Sequence, residues 1–387
     1  MPISKVSKLT TRSISQPVES LLKACFRGDV VQWPGESAAF RQEVLDVLHQ
    51  HAIAPLLLFH HDQAAVLQNW PSSLLQALKK IAKQEAVREM VWEEELKSVL
   101  CTMKERGILP ILTKGTAFSY TLYPKMGLRP RSDVDLLIAK EQSELVAELM
   151  REIGYDSQFE QAGDFLSSQT SFSKSGKLGV TQYFDIHRQI SNASLPFSRA
   201  LSYPELMDRA VDIPALGSNA RTLSNVDALL YACFHRAGHY AYEGEHLIWL
   251  YDIHLLVEGM SDDELSSFFE KAREMRILGA CADAILSAQA WFNTKLSTGF
   301  SEKLTSSLQA DASIEYIADG RLTGIKRRAW LEANELGTWR ERFRLYYEKL
   351  FPPAKYMVWR YGIKNRAFLP FYYCYRLFFA ICVLIKG

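Results

Sequence analysis

Two aspartates set two residues apart, Asp133 and Asp135, stand in a run otherwise fit for a protein interior: Val134, Leu136, Leu137 and Ile138. Alternate residues of a strand share a face, so both carboxylates project to one side while Val134 and Leu136 face a core. Like charges this close repel and give up water only at high cost. A divalent cation removes that cost, and ligands that are oxygen alone favour Mg²⁺ or Mn²⁺. By the same reasoning, Asp135→Asn is expected to leave the metal-free fold as stable or more so. Upstream, the apolar run Ile108-Leu109-Pro110-Ile111-Leu112 ends at Lys114-Gly115, where a strand can break into a helix. The stretch Ile111 to Ile138 therefore reads as strand, glycine turn, short helix, loop, strand.

Further along, 141–154 has the pattern of an amphipathic helix, with Leu145, Ala147, Leu149 and Ile153 on its buried side and Gly154 as its stop. Residues 165–173 and 179–190 read as the arms of a hairpin turning at Lys174-Ser175-Gly176-Lys177. Alternation in the second arm puts Asp185 and His187 on one face and Phe184 and Ile186 on the other.

At this point the residues resemble a known family. Lys114-Gly115, Tyr123, Arg129 and Asp133-Val134-Asp135-Leu136-Leu137 are similar to the uncharacterised nucleotidyltransferases, within the superfamily of polymerase-beta-like fold. The resemblance extends from about Leu21 to about Arg376. It implies an α/β (α+β) fold: a small mixed sheet with large helical N- and C-terminal flanks. It also implies transfer of a nucleotidyl group from an NTP, ATP first among the candidates, to a hydroxyl or phosphate acceptor of unknown identity. On that resemblance Asp185 is the third carboxylate, completing a Mg²⁺ (or Mn²⁺) site with Asp133 and Asp135 and serving as ligand or general base. Pairing with Arg188 or solvent is the plain alternative. Gly115 lets backbone approach the triphosphate, Thr116 offers a hydroxyl, and Lys114, Arg129 or Arg131 neutralise phosphate. Gly115-Thr116 departs from the Gly-Ser or Gly-Gly usual in the superfamily. Lys114 could equally be a solvated turn residue, and Arg129 a partner of Asp133.

The helical flanks set the expected organisation: 1–16 disordered, 17–106 helical, 107–215 the catalytic core, 216–320 a helical domain, and 321–387 a basic aromatic tail. Leu74 to Arg106 fits one long helix. His49, His51, His60 and His61 lack acidic or cysteine partners at ligand spacing and read as ordinary surface or packing residues. His235 and His239 share a helical face, with packing, phosphate contact and metal binding all open. Arg236 stands where a metal hydrolase motif needs glutamate. The resemblance takes in this stretch too, through Trp249-Leu250-Tyr251-Asp252-Ile253.

Six scattered cysteines without a CxxC pair, and no apolar leader at the N-terminus, fit a cytoplasmic protein. The net charge of +1 conceals an asymmetry. From Arg321 onward 14 Lys/Arg face 4 Asp/Glu, whereas the first 320 residues hold 31 basic against 40 acidic. The tail also carries 16 aromatic residues and ends in an apolar run, 368–385, interrupted by Arg376. That charge makes insertion costly, so the tail reads either as a helix packed on the N-terminal helices or as one lying on an anionic membrane surface. Nucleic acid is a weaker fit. A non-catalytic nucleotide-binding or membrane-docking protein on the same fold is the alternative to an enzyme; the loss of one carboxylate would mark it, and all three are present.

Overall fold

The computed structural model describes residues 14–35, 37–157, 163, 169–176, 179–190, 201–217, 219–314, 333 and 336–386. Most of the expected disordered segment 1–16 thus lies outside the described residues; helix α1 (Gln16–Phe26) begins at its end. Helices α2 (Ala38–Gln50) and α3 (Ala54–Ala64) follow. A long helix α4 (Ser72–Glu105) then spans, at 1.5 Å per residue, about 50 Å. Its first half buries Leu74 and Leu78 among the helices, and its second half buries Leu96, Val99, Leu100 and Met103 against the sheet. One helix therefore belongs to both cores.

Two short parallel strands, β1 (Val31–Gln32) and β2 (Leu67–Gln68), tie the N-terminal helices together. The main sheet comprises β3 (Ile111–Thr113), β4 (Val134–Leu137), β5 (Asp156–Ser157), β6 (Gln169–Ser175), β7 (Thr181–His187), β8 (Val211–Asp212) and β9 (Arg221–Thr222). Its order is β5-β6-β7-β4-β3-β9-β8, with β4 antiparallel to β3 and parallel to β7. Mixed pairing follows from connection length: α5 (Lys114–Thr121) and a loop return the chain antiparallel, while the longer path through α6 (Ser143–Glu152) allows the parallel strand. The buried stripe of α6 is Val146, Leu149 and Met150, shifted from the one expected, while Leu145, Ala147 and Ile153 pack partly buried. Gly154, at φ +87°, ends that helix. The β6–β7 hairpin pairs as far as Ser175 with Thr181, so Lys174 and Ser175, expected in the turn, belong to the strand. Residues 165–168 of its first arm lie outside the described residues.

Helix α7 (Tyr203–Asp208) leads into a helical layer: α8 (Asn225–Glu243), α9 (Leu247–Gly259), α10 (Asp262–Glu274), α11 (Leu278–Phe292) and α12 (Thr298–Ser307). Ser224 caps α8 by accepting from the Asp227 amide. One apolar core joins this layer to the N-terminal helices, bringing Leu22, Leu48 and Leu57 together with Leu229, Leu250 and Ile285. The sheet is thus held between α4 and a helical body drawn from both sides of it in sequence.

The tail forms α13 (Trp339–Leu350), α14 (Ala354–Tyr361) and α15 (Leu369–Lys386). Arg376 turns inward and donates to the Lys349 carbonyl, and Tyr373 donates to Pro352. Helix α15 packs on α13 and α14 and leaves Phe371, Tyr375, Phe378 and Phe379 half or more exposed, so the picture of a terminal helix buried on the N-terminal helices does not hold for this stripe. Among the described residues no helix is long and apolar enough to cross a membrane.

Candidate active site

Strand register builds the site. Asp135 on β4 stands opposite Thr113 on β3 and beside Asp185 on β7, so the two carboxylates are cross-strand neighbours on one face. His187, two residues on along that face of β7, reaches back with Nε2 2.8 Å from Oδ1 of Asp135. One ligand atom from each of Asp135, Asp185 and His187 lies within 4.8 Å of the others, which a single cation could bridge. Asp133 is not one of these three. It sits just before β4 at the mouth of the group, close enough to feel both other carboxylates.

The electrostatics describe a site short of positive charge. Burial pushes the Asp133 carboxyl up to about 7, and Asp135 and Asp185 add to the effect against Lys114 and Arg129. Asp185 is also raised, by burial first, although Ser171 hydrogen-bonds to it. Burial works the same way on Asp135, but Lys114 and His187 outweigh it and hold this carboxyl below the usual range. Repulsion at Asp135 is thus opposed by two cationic or proton-donating partners that share its Oδ1.

Lys114 is no solvated turn residue. It opens α5 in the left-handed region at φ +54°, which non-glycine residues rarely occupy, and its Nζ lies 2.7 Å from Asp135 Oδ1. Burial opposes its charge, yet Asp135 and Tyr231 more than compensate and its pKa is raised.

The remaining residues expected to meet phosphate are held by protein partners, while Gly115, Arg129 and Arg131 also line the cavity that the carboxylates line. Arg129 does not pair with Asp133; it forks onto Asp252 of α9, with Nε 3.2 Å from Oδ1 and Nη2 2.7 Å from Oδ2, and Tyr123 donates to the same carboxylate at 2.7 Å. Arg131 forks onto Glu89 of α4 at 3.0 and 2.9 Å, and Tyr120 donates to Glu89 at 2.7 Å. Each arginine so forms a buried Tyr–carboxylate–Arg set, one anchored to each helical flank. Gly115 has no positive φ, and what occupies the space beside it is the Arg129 guanidinium. The Thr116 hydroxyl is buried and donates to the Asp133 carbonyl, fixing the strand entrance.

The carboxylates line a cavity of about 580 Å³ together with His49, His235, His239, His246 and Trp249, which come from the helical flanks. His51 and His60 are packing residues, as expected: His51 accepts from the Leu247 amide, and His60 bonds the Tyr251 hydroxyl. Sequence reasoning missed His187 as a site residue, although the alternation that exposed Asp185 carried it. It also gave no role to Glu89 or Asp252, although Asp252 lies in the apolar stretch Trp249-Leu250-Tyr251-Asp252-Ile253 that shares the resemblance.

Residues 38–293 match the family model described as uncharacterised nucleotidyltransferase. No curated protein matches the chain. Among solved structures it is similar to an antigenic nucleotidyltransferase-like protein from Paracoccidioides brasiliensis, at 13% identity and a TM-score of 0.32, over 54% of this chain and 95% of that one. A likeness so loose has no bearing on the chemistry of the site.

Proposed function

The chain belongs to the family of uncharacterised nucleotidyltransferases, and from that premise we propose that it moves a nucleotidyl group from a nucleoside triphosphate, ATP first among the candidates, to a hydroxyl or phosphate acceptor, releasing pyrophosphate. The observation that carries this reading is the cross-strand meeting of Asp135 and Asp185 with His187. A divalent cation, when bound, supplies charge neutralisation for the triphosphate and a more acidic acceptor hydroxyl. Asp135, Asp185 and His187 are the residues that would hold it, with Asp133 adjoining. An imidazole among the donors favours Mn²⁺ over Mg²⁺, which prefers oxygen throughout.

Lys114 is placed to exchange its partner Asp135 for phosphate oxygens, and Asp185 to take the proton of the acceptor. Arg129, Arg131, Gly115 and Thr116 act as positioning residues that hold the strand entrance. Pyrophosphate release from each NTP with Mn²⁺ or Mg²⁺, using cell extract as the source of acceptor, tests the reading. Release that depends on the metal and disappears in Asp135→Asn is the expected result. Nucleotide binding without release would instead assign the chain to a non-catalytic role.

A second observation favours a place at a membrane. Among the described residues every exposed Trp and Phe, and every exposed Tyr except Tyr183, lies between 339 and 379. On α15 the stripe of Phe371, Tyr375 and Phe378 follows helical spacing without a charge, while Lys355, Arg360, Lys364 and Arg366 precede it on the surface. Aromatic and basic groups so combined suit a helix lying peripherally on anionic lipid.

A further inference from the structure

The cavity has two walls of unlike chemistry. Lys114, Asp133, Asp135 and Asp185 stand on the sheet side. On the helical side four flat rings meet: the His235 and His239 centroids are 4.4 Å apart, as are those of His246 and Trp249, and His235 lies 5.1 Å from Trp249. All four are only half-buried, whereas their chain neighbours Phe234, Ala237, Leu247 and Leu250 are fully packed. What these rings leave uncovered lines the cavity.

Three imidazoles suggest a metal, but among the described residues the one set whose ligand atoms converge is Asp135, Asp185 and His187. Burial, Lys114 and His239 all hold His235 in its neutral form, and a neutral imidazole offers a flat face with one donor and one acceptor. Apolar groups (Leu48, Ala52, Pro55 and Ile248) continue this wall. The volume falls within the ~300–1,000 Å³ of small-molecule sites.

We propose that this wall, with Trp249 at its centre, seats the planar base of the nucleotide. The assignment rests on the nucleotidyl-transfer reading, since it takes the triphosphate to lie at Lys114 and the carboxylates. Stacking on aromatic side chains tolerates any base, because each has a π-face. Purines, with the larger face, gain more from it, so ATP and GTP should bind ahead of CTP and UTP.

Calorimetric titration of the full chain in Mn²⁺ tests the proposal, with a non-hydrolysable α,β-methylene ATP and inorganic tripolyphosphate as the two probes. The wild-type chain is expected to bind the nucleotide at least tenfold more tightly than tripolyphosphate. Trp249→Ala should erase most of that factor and leave tripolyphosphate binding unchanged, and Trp249→Phe should restore much of it while keeping the wall packed. Equal binding of both probes by the wild type, or equal weakening of both in Trp249→Ala, overturns the base seat but leaves the transfer reading standing. Binding of neither probe by the wild type overturns both.

Discussion

The guanidinium of Arg129 fills the space that a side chain on Gly115 would need: a methyl group there would stand 2.6 Å from Nη1 and 2.8 Å from Cζ. Arg129 cannot simply swing aside, because Asp252 and the Pro130 carbonyl hold its nitrogens. Gly115→Ala should therefore break a buried ion pair, at a cost of about 3–5 kcal/mol, and abolish activity with it. Urea denaturation of the variant measures the loss. A midpoint equal to wild type would mean that the arginine is not pinned.

Glu89→Gln removes the charge that answers Arg131, whose side chain is 1% exposed. Leaving one partner buried is the costly case, so a loss of about 3–5 kcal/mol is expected. The surface control Asp262→Asn should stay within about 0.5 kcal/mol. Thermal melts of the two variants, compared directly, check the contrast.

Asp135→Asn is expected to abolish metal-dependent pyrophosphate release and also to lower the melting temperature in EDTA. The second effect has the opposite sign to the one carboxylate repulsion alone implies, because Lys114 loses its partner. The folded pKa of Asp135 is depressed, so its stabilisation is complete above about pH 4 and is lost as pH falls further. An unchanged or higher melt in EDTA at pH 7 would show that repulsion dominates.

His51 gives a pH dependence of its own. Burial and the neighbouring His246 push its pKa down to about 4, below the ordinary histidine value. Protons then bind the unfolded chain more readily, so stability is full above about pH 6.5 and declines towards pH 4 by at most a few kcal/mol. Burial lowers His60 and His254 too, and both add in the same direction. Denaturation at pH 7 and pH 5 should show a smaller difference in His51→Gln than in the wild type.

Phosphatidylcholine vesicles containing phosphatidylserine should pellet the full chain at low salt, and pure phosphatidylcholine vesicles should not. Binding should fall steeply as salt shortens the Debye length towards ~8 Å and below. Phe371→Ser with Phe378→Ser should weaken pelleting without altering the thermal melt, since both rings are already exposed. Failure of the wild type to pellet with acidic lipid at low salt removes the membrane reading.

The strands bearing Asp135 and Asp185 were legible because period-two alternation is local, although Asp133 falls just outside its strand, and so was the long helix through Leu74 to Glu105. What the sequence hid was pairing at long range. Arg129 finds Asp252 over a separation of 123 residues and Arg131 finds Glu89 over 42, so proximity in the chain favoured the wrong partner, Asp133. Gly115 likewise looked like a phosphate-binding turn, since the arginine that fills its space lies on a separate loop. His187 was on the page as the third member of Asp-x-His, but a carboxylate-only view of the metal passed over it.

The two arginines either side of Pro130 also shape how damage to this protein would look. Substitutions in α4 and α9, helices that give the carboxylate group none of its members, should inactivate it by letting the strand entrance slacken. A saturation screen for lost transfer would then return islands of sensitivity around Glu89 and Asp252 as well as at 113–135 and 185–187. Glu89 and Asp252 should also show epistasis of one kind: replacing either costs less stability when its own arginine is replaced in the same clone.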